Sequence, residues 1–168
     1  IVNGNSLGIY NFEEQHSKEL LENNGRRAAP IIGFDKNLWI EEANNIQNLS
    51  VNSLNDSFWR AKISAVNLAK IEPGSEQELY LKNAIYLLES FRNDSLTINE
   101  VFDTDQMAKL MALKALFGSV EFDWRDIKFY YNPITSLLEP IGREVHSERL
   151  STQTWWVDSS VTSLSHSV

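Results

Sequence analysis

Cysteine is absent from all 168 residues. That excludes disulfides and thiolate metal sites, but it leaves the compartment open, because reducing and oxidising settings both tolerate such a chain. Basic charge is scarce: 15 Lys and Arg stand against 23 Asp and Glu, for a net charge of −8. Arg26-Arg27 is too short a cluster to offset that balance, so the sequence predicts no nucleic-acid partner. No apolar run approaches the ~20 residues of a membrane span, and no signal peptide is visible. Internal repeats, a glycine-rich phosphate loop and a G-x-S-x-G elbow are missing as well. His16, His146 and His166 are too widely separated for zinc spacing, and His16 reads as an exposed or capping residue.

What is present argues for a packed core. Aromatics make up 11% of the chain and include five Trp, which is not a disordered composition. The length suits one domain or a piece of a larger one. The chain opens on Ile1-Val2-Asn3-Gly4, which reads as the middle of a strand, so the expectation is a fragment.

Taken in order, residues 1–3 and 7–12 read as strands around the turn Asn3-Gly4-Asn5-Ser6. Residues 13–23 switch to a helical pattern, with Glu13 and Glu14 favouring its N-terminus and Asn24-Gly25 its stop. Residues 28–34 read as extended. Asp35 is a candidate cap for a helix reaching Asn48, and residues 55–57 for a second helix over 58–69. After Pro73-Gly74, Ser75 and Glu78 form a capping-box pattern, with Leu79, Ala84, Ile85, Leu88 and Phe91 as its apolar stripe. Asp103 and Gln106 begin a last helix that Gly118 closes. It is apolar around most of its girth, which predicts burial on every side. Residues 147–168 form a tail rich in Ser and Thr.

The stretch DWRDIKFYYNPITSLLEPIGREVH, residues 123–146, reads as a hairpin. Its strands are 127–131 and 137–141, and the intervening Asn-Pro and Thr-Ser suit a turn. A turn centred near Ile134 brings Asp126 close to Gly142 and Asp123 close to His146. Acids at the open end, Asp123, Asp126 and Glu144, then converge within roughly 10 Å. Such a cluster needs a cation, a proton or a basic partner, and a hard divalent ion is the productive choice. Three solvated loop acids remain the plain alternative.

A buried helix, an acidic loop, a hairpin and a further acid is the order of parts in protein kinases. The wording resembles the CotH kinase family, atypical kinase-like proteins named for a bacterial spore-coat protein. The first resembling segment is VNGNSLGIYNFEEQ, where Gly8, Tyr10 and Glu14 satisfy the family's G-x-Y-x-x-x-E. The second is VFDTDQMAKLMALKALFG. The third and most specific is DIKFYYNPITSLLEPIGRE, set against the family's N-x-x-x-Y-x-x-P…P-x-x-x-D.

The resemblance implies an α+β, kinase-like fragment spanning residues 1–168 as one partial domain. Its parts are a strand pair with a following helix (1–34), a helical region (35–118), the acidic loop and catalytic-type hairpin (119–146), and the tail. It implies ATP with Mg²⁺ or Mn²⁺ as cofactors, an unidentified protein substrate, and a cell-envelope or extracellular setting. Asp123 stands as the catalytic acid, with Glu121 competing for that role. Asp126 falls where the family has a metal-side Asn, and Glu144 where it has the metal-binding Asp. Both departures keep an oxygen ligand, one adding charge and the other a methylene. Glu14 falls at the strand-to-helix junction that contacts nucleotide, although capping its own helix serves equally well. The phosphate-cradling loop and its Lys are expected upstream of Ile1. A catalytically inactive pseudokinase or cell-surface interaction domain is the alternative.

Overall fold

The computed structural model describes residues 15–37, 40, 58–66, 71–117 and 124–142. Within them the architecture is mixed α+β, built on a four-stranded antiparallel sheet. The strands are β1 (Ile31–Phe34), β2 (Ile63–Ala65), β3 (Lys128–Asn132) and β4 (Leu137–Ile141), in the spatial order β2-β1-β3-β4. The helices are α1 (Lys18–Asn23), α2 (Glu76–Arg92), α3 (Ile98–Val101) and α4 (Thr104–Phe117). The N-terminal strand pair expected within residues 1–12 lies outside the described residues, as does the tail.

Alternation along β1 and β3 gives the sheet two buried faces. Ile32 sits opposite Phe129, and both enter the main core with Phe34, Ala84, Leu88, Val101, Phe102, Met107, Tyr131 and Leu138. Ile31 sits opposite Tyr130 on the other face, where both join Leu21 and Ala29 beneath α1. β4 lies at the sheet's edge, but Phe102 bridges to Leu138 and the Asp103 N–H donates to the Leu138 carbonyl at 3.0 Å. Among the described residues, that contact occupies part of the outer row of backbone groups on β4.

Helix starts follow their caps. Ser75 Oγ accepts from the Glu78 N–H at 3.2 Å. The Glu78 carboxylate reaches past the cap residue to the Gly74 N–H at 2.6 Å, where Gly74 holds φ +78, and it also pairs with Lys82 at 2.7 Å. The lysine, followed by the backbone donor, holds the Glu78 carboxyl below its ordinary range. Asp103 Oδ1 accepts from the Gln106 N–H at 3.0 Å and opens α4. Asp35 Oδ1 accepts from the Asn37 N–H at 2.9 Å, the bond expected of a cap. The Thr97–Glu100 capping box that starts α3 is a further cap, unforeseen in the sequence reading.

Three expectations are corrected. Residues 58–69 do not form one helix: 58–60 are helical and the chain then turns into β2. Arg92 explains the break, because its guanidinium donates to the Phe58 carbonyl at 3.0 Å and the Ala61 carbonyl at 2.7 Å. With the helix ended there, Ile63 and its neighbours complete the open side of β1. Leu79 is 56% exposed, not core. It lies nine residues from Leu88, about two and a half helical turns, which sets it on the opposite face. Finally, α4 is not buried all round. Met107 is buried and Leu110 and Met111 partly so, whereas Leu113 and Leu116 face outward among the described residues.

Candidate functional site

Helix α4 carries the chain toward the turn at residues 124–126, which opens directly into β3. Trp124 fixes this turn to the core. Its ring meets Phe34 edge-on at 5.9 Å between centroids and Phe58 at 5.7 Å. Ile127, one residue past the turn, is buried. Aromatic and aliphatic burial on both sides of Asp126 therefore sets its backbone without leaving the acid itself in the core.

Lys128 braces the turn from β3. Its Nζ donates to the Arg125 carbonyl at 3.1 Å, and its stem crosses directly over Gly33 of β1. A Cβ at Gly33 would stand 2.5 Å from Lys128 Cδ, so the absence of a side chain there gives the lysine its path. Asp126 is half-buried, and its Oδ1 faces Lys36 Nζ at 3.5 Å. Lys36 follows the end of β1, so the acid's basic partner comes from the neighbouring strand of the sheet. The sequence calls for a cation, a proton or a basic partner beside these acids and does not single out Lys36.

The hairpin's second strand is the predicted one, and its first runs one residue later than expected, from Lys128 to Asn132. Lys128 pairs with Ile141 and Asn132 with Leu137, leaving residues 133–136 as the loop. Its centre falls between Ile134 and Thr135, with Ser136 at φ 59 and its N–H donating to the Asn132 carbonyl at 2.8 Å. One further step along the ladder sets Gly142 against Ile127, the residue after Asp126.

Of the five acids singled out in the sequence, Asp126 is the described one. Asp123, Glu121, Glu14 and Glu144 lie outside the described residues. Among the described residues no three His, Asp or Glu side chains gather as a metal-binding group. Asp126 fits a hard cation as one oxygen donor: Lys36 engages Oδ1, and the side chain retains solvent access. A complete ligand set requires other acids.

A second polar cluster sits at the loop end of the hairpin. Glu139 is buried, yet Arg26 holds its carboxylate at 2.7 Å and 3.3 Å and Asn132 Nδ2 donates to it at 2.6 Å. Tyr130 lies beside this cluster and donates through its hydroxyl to the Arg27 carbonyl at 3.0 Å. Burial raises the Tyr130 phenol above its ordinary value, and the Glu139 carboxylate adds to that effect. Arg26, Glu139 and Asn132 satisfy one another, and together with the Tyr130 bond to the Arg27 carbonyl they tie the chain after α1 to the hairpin. That is a structural clasp. The sequence signal for it was faint: an acid in the middle of an otherwise apolar strand, needing a cation from elsewhere.

No family model matches the chain, and neither a curated protein nor a solved structure matches it.

Proposed function

We propose that the chain is part of a kinase-like domain that transfers the γ-phosphate of ATP to a protein hydroxyl with Mg²⁺ or Mn²⁺. The observation supporting this is the acidic turn at the hairpin mouth. Asp126 is held between the anchored Trp124 and the buried Ile127, with its carboxylate outside the core. Phosphoryl transfer demands little covalent chemistry from the protein and depends on positioning and charge compensation. A turn fixed by ring packing and by Lys128 suits that demand.

In this reading Asp123 accepts the proton of the substrate hydroxyl as its oxygen bonds to the γ-phosphorus. The bond to the β-phosphate oxygen breaks and ADP leaves. Glu121 is the competing acid for that role. Asp126 and Glu144 hold the divalent ion, and Glu14 contacts the nucleotide. Incubating the full-length protein with γ-labelled ATP and either metal is expected to label a protein acceptor. Glu144→Ala is expected to abolish that label, and unchanged transfer in that variant sinks the metal assignment.

One observation favours a second reading, an inactive pseudokinase or cell-surface interaction domain. Lys36 already compensates Asp126 at 3.5 Å, so charge balance at the turn does not require a metal. This reading predicts that neither ATP nor divalent metal raises the melting temperature. Binding at 100 times Kd would add about 2.7 kcal/mol, so a true ligand is readily seen.

A further inference from the structure

We infer that the cavity between the sheet and helices α2, α3 and α4 is a binding site for an uncharged apolar small molecule. It adjoins the acidic turn through Trp124 and Ile127, lies on the core side of them, and does not depend on the phosphotransfer reading. The cavity measures about 310 Å³. At ~30 Å³ per non-hydrogen atom, the share of a water in its liquid, it accommodates about ten such atoms.

Its floor is formed by buried Phe34, Leu88, Ile127 and Phe129. Ile98, Thr104 and Ala108 also line it and are exposed, so the mouth lies between α3 and α4. Among the described wall residues, Thr104 is the only one with a polar side-chain group apart from the indole N–H of Trp124. Water held inside needs two to four polar partners, and this wall does not supply them. An empty space of this size forfeits dispersion contacts that a protein interior normally makes. An apolar occupant restores them.

Charge at the mouth selects against an anion. Asp103 and Asp105 flank Thr104 in the chain, and Asp103 already occupies the Gln106 N–H at the start of α4. An incoming carboxylate or phosphate would meet two acids where a bare helix start would have favoured it. The wall is also adaptable, because Met107 and Met111 both line it and unbranched thioethers reshape around varied contents. These are the only two methionines in the chain.

That coincidence gives a direct test. With ¹³C-labelled methionine methyls, the whole chain shows two resonances, both from the cavity wall. Titration with 1-octanol is expected to shift both, saturably and at one molecule per chain. Octanoate is expected to bind at least ten-fold more weakly, and Ala108→Trp, at the exposed mouth, to weaken octanol at least ten-fold. If neither methyl moves up to the solubility limit of octanol, the proposal fails. It also fails if octanoate matches octanol, or if a cooperatively melting Ala108→Trp protein binds as the wild type does. Should that variant not fold, the wild-type methyl shifts still decide.

Discussion

Replacing Arg92 by Met tests whether a single buried cation ends one element and starts the next. The side chain is 9% exposed and lies against the Phe34 ring, 5.6 Å from its centroid. Its guanidinium satisfies the carbonyls of Phe58 and Ala61 and forks onto Glu89 at 2.5 to 3.1 Å. Methionine preserves much of the packing and removes every donor. Glu89, about one third exposed, can take water instead, so its loss costs little. The two carbonyls belong to buried residues, and each unsatisfied acceptor costs about 1–3 kcal/mol. The expected loss is about 3–4 kcal/mol, or on the order of 10 °C in melting temperature for a chain of this size. Arg92→Lys, with one ammonium in place of the fork, should recover about half of it. Urea denaturation followed by tryptophan emission measures both. A loss below about 1 kcal/mol for Arg92→Met would refute the reasoning, because the carbonyls would then be finding other partners.

Gly33→Ala displaces only the flexible end of Lys128, so it should cost no more than about 1 kcal/mol, and that cost should vanish in a Lys128→Ala background in a double-mutant cycle. Glu139→Ala should cost about 2–3 kcal/mol by denaturant titration, less than a fully buried pair because Arg26 is 38% exposed and can be resolvated. Glu139→Gln should move the Tyr130 phenol back down toward 10.0 in an NMR titration, since a carboxylate that opposes ionisation is removed. Glu100 is held below its ordinary 4.5 by the Thr97 backbone N–H and hydroxyl, so its contribution is complete above about pH 4.5 and fades as pH falls through its folded value. Glu100→Gln should therefore melt below wild type at pH 7, with the gap closing as pH falls through the folded value; a gap that widens on acidification contradicts the cap.

The elements that could be read from sequence were those whose cause is local. Ser75 and Asp103 each carry their capping bond within three residues, and Asn132-Pro133 with Ser136 specifies a loop between two apolar runs. The parts that escaped depend on distant partners. Residues 58–69 have helical spacing, and only Arg92, more than thirty positions away, shows why the helix stops after its described turn. β2 then exists because β1 has an open side, which no pattern within Ile63–Ala65 records. On α4, counting apolar residues overstated burial, since Leu113 and Leu116 face away from the sheet. At the candidate site, Asp126 was identifiable as an acid beside a hairpin. Lys36 and Lys128 were not identifiable as its surroundings, because the register that brings β1 beside β3 is a tertiary fact.

Phosphate transfer from γ-labelled ATP by the full-length protein, compared among wild type, Asp123→Asn and Glu121→Gln in the presence of Mn²⁺ or Mg²⁺, addresses the central proposal most directly. The account predicts labelled protein with the wild type, loss of at least 100-fold in Asp123→Asn, and near-normal transfer in Glu121→Gln, in line with the 10²–10⁴-fold contribution of a positioned acid–base group. Labelling that survives in Asp123→Asn but vanishes in Glu121→Gln would reassign the acid. No labelling with either metal, together with no nucleotide-dependent rise in melting temperature, would contradict phosphotransfer and leave the interaction-domain reading in its place.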